Sequence, residues 1–273
     1  MLDEALDVVD AARAAGVDAR LIGGLAVLAL CDGSPPRRSH RDLDLVAARA
    51  GLSRLLETFA RLGYEENRHV RLASGGALLQ VYRPCVHRDA AGRPAHADDR
   101  IDVYLDAFRL HHTLGLKRRL RREPYTVPPA DVLLAKLLRT RMSESDVRDV
   151  VALLANVEVR DEEAAGVIGL QYAARACSRD WGLYHDVTSN LERVVREADL
   201  LAPDAADAAR VRERAGLVLK ALHTMRKGVR WRLRAAVGER LPWYEAVDED
   251  DALRIGLRER PPADGQPAGF PRS

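Results

Sequence analysis

Leu21-Ile-Gly-Gly-Leu-Ala-Val27 and, past a Pro/Arg-rich loop, His40-Arg-Asp-Leu-Asp-Leu-Val46 decide how this chain folds. The first stretch reads as a strand ending in a glycine pair that turns into a helix. Glycine tolerates a left-handed backbone and lets main-chain amides come close to a ligand. The second stretch reads as a strand with alternating side chains, so Asp42 and Asp44 share one face, about 6–7 Å apart, while Leu43 and Leu45 take the other. Two carboxylates on one sheet face call for a cation. Mg²⁺ is bound through one or two carboxylates plus substrate phosphates, so the pair points to phosphoryl or nucleotidyl chemistry rather than a closed structural site. A helix opening at a glycine pair offers its first amides, and the positive end of its dipole, to a phosphate.

A third acid stands further along. In Arg100-Ile-Asp-Val-Tyr-Leu-Asp106, Ile101, Val103 and Leu105 alternate with Asp102, Tyr104 and Asp106, the pattern of a half-buried strand. The glycine turn, the Asp-x-Asp strand and the later acidic strand together resemble the nucleotidyltransferase superfamily. Further stretches resemble a largely uncharacterised bacterial nucleotidyltransferase-like family: His111-His-Thr-Leu-Gly-Leu-Lys-Arg-Arg-Leu120, Val127-Pro-Pro-Ala-Asp-Val-Leu-Leu-Ala-Lys-Leu-Leu138, Glu144-Ser-Asp-Val-Arg-Asp-Val-Val-Ala-Leu-Leu154 and Asp180-Trp-Gly-Leu-Tyr-His-Asp-Val-Thr188. Abortive-infection toxin nucleotidyltransferases are more distant relatives, and the similarity runs from about Ala19 to Glu245.

The resemblance implies an α/β fold, a nucleotidyltransferase-like mixed sheet with flanking helices, followed by an all-helical second domain. It implies catalytic and metal-binding roles for Asp42, Asp44 and Asp102, with Mg²⁺ or Mn²⁺ as cofactor and Asp106 as the alternative third acid. Gly23 and Gly24 would seat the phosphates and Lys136 would contact the triphosphate, with Arg139 three residues on sharing its face. The loop between Gly24 and Asp42 is longer than the family pattern, which offers Arg37, Arg38 and Arg41 to the nucleotide.

Periodicity gives the organisation. Residues 1–155 interleave helix and strand signals, with helices over Leu2 to Ala15, Leu25 to Leu30 and Gly51 to Leu62 and strands over Ala19 to Ile22, Ala77 to Arg83 and the two acidic stretches. After Pro128-Pro129 the strand signals stop. Helices are expected over Ala130 to Thr140, from Ser143, and in a helical domain of residues 156–250 over Glu162 to Cys177, Leu183 to Leu200, Ala205 to Leu222 and through Trp231. The tail, 251–273, lacks apolar periodicity and reads as disordered.

The chain has 273 residues, 47% of them hydrophobic and 31% charged, enough to bury a sizeable core. Its longest apolar run, Leu21 to Cys31, contains two glycines and is too short to span a bilayer. Asp3, Glu4, Asp7 and Asp10 stand where a signal peptide needs basic charge, so a cytoplasmic protein without membrane contact is expected. Cys31, Cys85 and Cys177 are too widely spaced for a disulfide framework or a zinc cluster. His87 and His96 fit no standard zinc spacing, and His111, His112 and His185 read as capping or packing residues. Ser143 with Asp146 reads as a helix-capping pair, Asp149 as a partner of Arg148 or Lys136, and Asp180 to Tyr184 as a turn with aromatic anchors.

The implied activity is transfer of a nucleoside monophosphate from an NTP, ATP among them, to an acceptor hydroxyl, with release of pyrophosphate. The acceptor stays open among RNA, a small hydroxylated molecule and a protein. Two basic runs, Lys117 to Arg122 and Arg226 to Arg234, suit RNA phosphates as well as they suit a solvated face. Trp231 suits base stacking less well than a cover over the core. A catalytically silent nucleotide- or RNA-binding protein of the same fold is one alternative, and the presence of all three acids weighs against it. A toxin acting on tRNA, held by an antitoxin partner, is the other.

Overall fold

The computed structural model describes residues 1–31, 42–83 and 100–245, and of Asp42 the backbone alone. Arg37, Arg38, Arg41, Cys85, His87, His96 and the tail from residue 251 lie outside the described residues. Helix α1 (Leu2–Ala14) buries Ala5, Val8, Val9 and Ala12, an i, i+3, i+4, i+7 stripe facing the core. Strands β1 (Ala19–Ile22), β2 (Asp42–Ala47), β3 (Glu65–Glu66), β4 (Leu78–Tyr82) and β5 (Arg100–Leu105) form one sheet in the order β1-β2-β5-β4-β3. β2 and β5 run parallel at its centre and the other neighbours pair antiparallel, so the sheet is mixed.

Alternation sets the two faces. Ile101, Val103 and Leu105 of β5 are buried with Leu43, Leu45, Leu79 and Val81 in the core that α1 and α3 (Leu52–Arg61) help to close. Asp102 and Tyr104, half-buried, point to the opposite face. The helix that opens at the glycine pair, α2 (Gly23–Leu30), packs against α5 (Pro129–Leu137) and α6 (Glu144–Asn156). Two small elements lack a sequence signal long enough to read: α4 (Arg68–Ala73), ahead of β4, and a hairpin of β6 (Ala107–Arg109) and β7 (Thr113–Gly115).

The second half is not purely helical. The helix expected from Glu162 begins only at Leu170, because a short parallel ladder of β8 (Val159–Arg160) and β9 (Ile168–Gly169) occupies the stretch before α7 (Leu170–Cys177). Gly166 has φ +69°, outside the helical region, and Gly169 comes close enough to Glu163 that an added Cβ would stand 2.9 Å from Glu163 Cβ, so the observed ladder needs glycine at both places. Helices α8 (Trp181–Leu201), α9 (Ala205–Thr224) and α10 (Val229–Val237) follow. Asp180 accepts from the amides of Gly182 (2.8 Å) and Leu183 (3.2 Å), so the expected aromatic turn is the N-cap and first turn of α8. Helix α6 packs on α2 and α5 and also on α8 and α9, and one apolar core runs from Ala5 to Leu222.

A buried polar knot ties α8 to the segment after α5. Asp186 Oδ2 lies 2.8 Å from His112 Nε2 and accepts from Thr140 Oγ1 at 3.0 Å, and Trp243 Nε1 donates to Oδ1 at 2.9 Å. Burial by itself would raise the Asp186 carboxyl, but these hydrogen bonds outweigh it and hold the group below its ordinary value of 3.8. A depressed carboxyl stabilises the fold above the unfolded value, and that contribution is lost as pH falls through the folded one. The stability difference between wild type and Asp186→Asn, measured by urea denaturation, should therefore be level from pH 7 to about 5 and shrink below about pH 4. Asp186→Asn should cost about 1.5–3 kcal/mol at pH 7, the worth of hydrogen bonds to a charged group; a difference that does not shrink with acid would exclude a depressed Asp186 carboxyl as its source.

Candidate active site

The glycine turn and the first acidic strand meet as one unit. Ile22 lies opposite Asp44 in the β1/β2 register, and the chain turns at Gly23 with φ +73°. A Cβ on Gly23 would stand 2.6 Å from Asp44 Oδ2, so glycine is needed for both the backbone and the room that the carboxylate takes. Among the described residues no side chain caps the start of α2, whose first amides, Gly24 among them, follow directly on the turn that meets Asp44.

The parallel β2/β5 register puts Asp44 directly beside Asp102 and Asp42 beside Arg100. Asp102, only 13% exposed, accepts from Gln80 Nε2 at 2.8 Å and has Arg100 Nε 3.2 Å from its second oxygen. Tyr104, two residues on and facing the same way, reports the charge around the pair. Burial pushes its phenol well above the ordinary value, Asp44 and then Asp102 push it further, and Arg139 and Arg100 pull it back. Two acids and two guanidiniums thus surround one phenol. Among the described residues no group of three or more His, Cys, Asp or Glu is placed to hold a metal; Asp44 and Asp102 are two hard oxygen donors in register, and Asp42 begins the same strand.

Arg139 does not share a helical face with Lys136, because α5 ends at Leu137. Its backbone is fixed instead by Asn190 of α8, whose Nδ2 donates to the carbonyls of Leu137 (2.8 Å) and Arg139 (2.6 Å). Its guanidinium lies 3.5 Å from Asp146. Lys136 is buried, its Nζ 3.0 Å from Asp146 and 2.7 Å from Asp149. Asp146 also accepts from Ser143 Oγ at 2.7 Å while its amide donates back to that hydroxyl, the reciprocal cap read from the sequence. Burial alone would raise the Asp146 carboxyl, but Lys136, Arg139 and Ser143 bring it below the ordinary value.

Other candidates fall elsewhere. Asp106 follows β5 with φ +65°, accepts the Arg49 amide at 3.1 Å, and its own carbonyl accepts from Leu116 and Lys117. It is a turn residue, some 13 Å along the strand from Asp102 at about 3.3 Å per residue. One arginine of the first basic run turns into the fold, and its basic neighbours stay at the surface. Arg119 is buried between Asp131 and Glu163 with its guanidinium 3.5 Å from the centre of the Tyr172 ring, Arg121 pairs with Asp18, and Arg122 with Glu163. In the second run, Trp231 meets Tyr184 edge-on at 5.1 Å, and Arg234 lies over Trp181.

Comparison with known proteins bears on the first half of this site. Residues 4–87 match the family model described as aminoglycoside-2''-adenylyltransferase. That span holds the glycine turn, Asp42 and Asp44, and it bears out the nucleotidyltransferase resemblance; Asp102, Lys136 and Arg139 lie beyond it. The solution structure of the antibiotic-resistance factor ANT(2'')-Ia aligns with 88% of this chain and 94% of its own at 11% identity, with a TM-score of 0.30. No curated protein matches the chain. Among the described residues no helix is long and apolar enough to cross a membrane.

The Gly23 geometry generates a prediction that is independent of the substrate. Gly23→Ala should lower stability by at least about 1–2 kcal/mol through the left-handed backbone alone, and should also displace the Asp44 carboxylate. A thermal melt and nucleotide titration together check it: wild-type melting with intact nucleotide binding would show that Asp44 does not press on this turn.

Proposed function

We propose that the protein is a metal-dependent nucleotidyltransferase that moves AMP from ATP to a hydroxyl of a small acceptor, releasing pyrophosphate. The observation that carries this is the in-register pair of Asp44 and Asp102 beside the uncapped start of α2. Asp42, Asp44 and Asp102 would hold Mg²⁺ or Mn²⁺, which when bound neutralises charge on the triphosphate and the leaving group. The amides at Gly23 and Gly24 bind phosphate oxygens. Asp102, held by Gln80, accepts the proton of the acceptor hydroxyl as its oxygen bonds to the α-phosphorus and the bond from that phosphorus to the pyrophosphate oxygen breaks. Arg139 offsets the charge on the departing pyrophosphate. Lys136, whose ammonium is committed to Asp146 and Asp149, acts from behind by fixing the acid that Arg139 leans on.

For the acceptor, one observation favours a small hydroxylated molecule over RNA. The matching family model carries an aminoglycoside enzyme's description, which makes an amino sugar the first acceptor to test. In the run from Lys117 to Arg122 only Arg119 is buried, and Lys117, Arg118, Arg121 and Arg122 stay at the surface, so the salt dependence of transfer is part of the test.

The test is incubation with labelled NTPs, Mg²⁺ or Mn²⁺, and separate small-molecule, RNA and protein acceptor fractions. Label from ATP should enter the small-molecule fraction, with little dependence on salt; entry into RNA with a steep salt dependence would overturn the acceptor class. Asp44→Asn and Asp102→Ala should each lower transfer by 100-fold or more, roughly the loss attending removal of an acid–base or metal group, with melting temperatures near wild type. Asp106→Ala should instead lower the melting temperature and leave transfer by the folded fraction within a few-fold. Full transfer by Asp44→Asn and Asp102→Ala would remove the proposed site.

A further inference from the structure

Asp102 is not held by its own strand alone. The β4/β5 register sets Gln80 opposite Asp102, and Gln80 Nε2 donates to Asp102 Oδ1 at 2.8 Å. Behind it, Asn67 Nδ2 donates to Gln80 Oε1 at 2.8 Å, and the Asn67 amide donates to the Gln80 carbonyl at 2.9 Å. Asn67 is also the N-cap of α4, its Oδ1 accepting from the Val70 amide at 3.4 Å.

The helix start gives this chain of amides a direction. Because the cap uses Asn67 Oδ1, its NH₂ group is the end that faces Gln80. Gln80 must then present its oxygen to Asn67 and its NH₂ to Asp102, since the reverse orientation would set donor against donor behind it and acceptor against acceptor in front. One oxygen of Asp102 is thereby fixed, and the other is turned toward Arg100.

We propose that Gln80, oriented by Asn67, is a positioning residue that fixes the Asp102 carboxylate for a divalent cation. The proposal rests on the assignment of Asp102 as a metal-holding acid under the function proposed above. Partners that orient a ligating side chain cost about 10–100-fold in metal affinity when removed.

Asn67→Asp separates this role from helix capping. Aspartate caps a helix start as well as asparagine does, but an ionised carboxylate has no N–H to give, so the one NH₂ group of Gln80 is claimed by two carboxylates and its hold on Asp102 loses the support behind it. Asn67→Ser is the neutral counterpart, since serine also caps and lacks the amide donor. Gln80→Glu removes the donor to Asp102 directly. The measurement is Mn²⁺ titration of the full chain followed by electron paramagnetic resonance, with a thermal melt of each variant.

Both Asn67 variants should melt near wild type and bind Mn²⁺ about 10–100-fold more weakly, and Gln80→Glu should weaken binding at least as much. Asn67→Ala, which loses the cap, should melt lower. If wild type binds Mn²⁺ and Asn67→Asp and Asn67→Ser bind it equally well, the relay is overturned while the metal site stands. If wild type binds no Mn²⁺ with or without ATP, the metal assignment fails and the relay falls with it.

Discussion

Two carboxylates forced side by side are the constraint around which this half of the molecule is arranged. Parallel pairing of β2 and β5 puts Asp44 next to Asp102, and neighbouring strands are only about 4.8 Å apart. Like charges at such a spacing repel by about 3 kcal/mol at an effective dielectric near 20. The surroundings answer that cost with positive groups and donors: Arg100 and Gln80 on Asp102, and Arg139 among the charges that act around Tyr104. Gly23 gives Asp44 the space it needs. The negative charge that the register concentrates is thus met on Asp102 by one amide donor and one guanidinium.

The helical half completes the site without reaching it. Asn190 caps the end of α5 and fixes the Arg139 backbone, while the Asp186 knot holds Thr140, the next residue. Buried hydrogen bonds to a charged carboxylate are costly to leave partly made, so His112, Thr140 and Trp243 hold the segment after α5 in one place. The Arg139 backbone is therefore held by a helix some fifty residues further along the chain. The apolar core running continuously from Ala5 to Leu222 serves the same end, since α6, which brings Asp146 and Asp149 to Lys136, packs on α8 and α9 as well as on α5.

What the sequence discloses follows from the range of each interaction. Strand alternation has a period of two residues, so the shared face of Asp102 and Tyr104 is visible locally, as are the glycine turn and the Ser143 cap. Gln80 sits at the polar position of Leu78-Leu-Gln-Val-Tyr82 and was available to the same alternation, but its meaning depends on cross-strand register, which local pattern does not carry. Lys136 resembles a phosphate contact because acids ten and thirteen residues later come back to it only through the packing of α6 on α5. Within the basic run Arg121 and Arg122 stay at the surface beside acids, but Arg119 turns inward onto Tyr172 and two acids for a related reason, since its partners come from distant elements. The β8/β9 ladder hid inside an expected helix because Gly166 and Gly169, which lower helix propensity there, mark a left-handed turn and a close approach to Glu163 that local periodicity does not carry.

Strand β5 shows how backbone, rather than residue type, assigns an acid its role. Asp102 and Asp106 are identical side chains four residues apart on what reads as one face. At Asp102 the backbone is extended and paired on both sides, so its carboxylate projects from the sheet among Arg100, Gln80 and Tyr104. At Asp106 the strand has ended and the backbone is left-handed, a conformation that aspartate tolerates better than most residues because its short side chain can bond locally. Its carboxylate is spent on the Arg49 amide, and its carbonyl on the start of the next segment. The second acid thus closes the turn that ends the strand carrying the first, and its loss would reach Asp102 only through the fold.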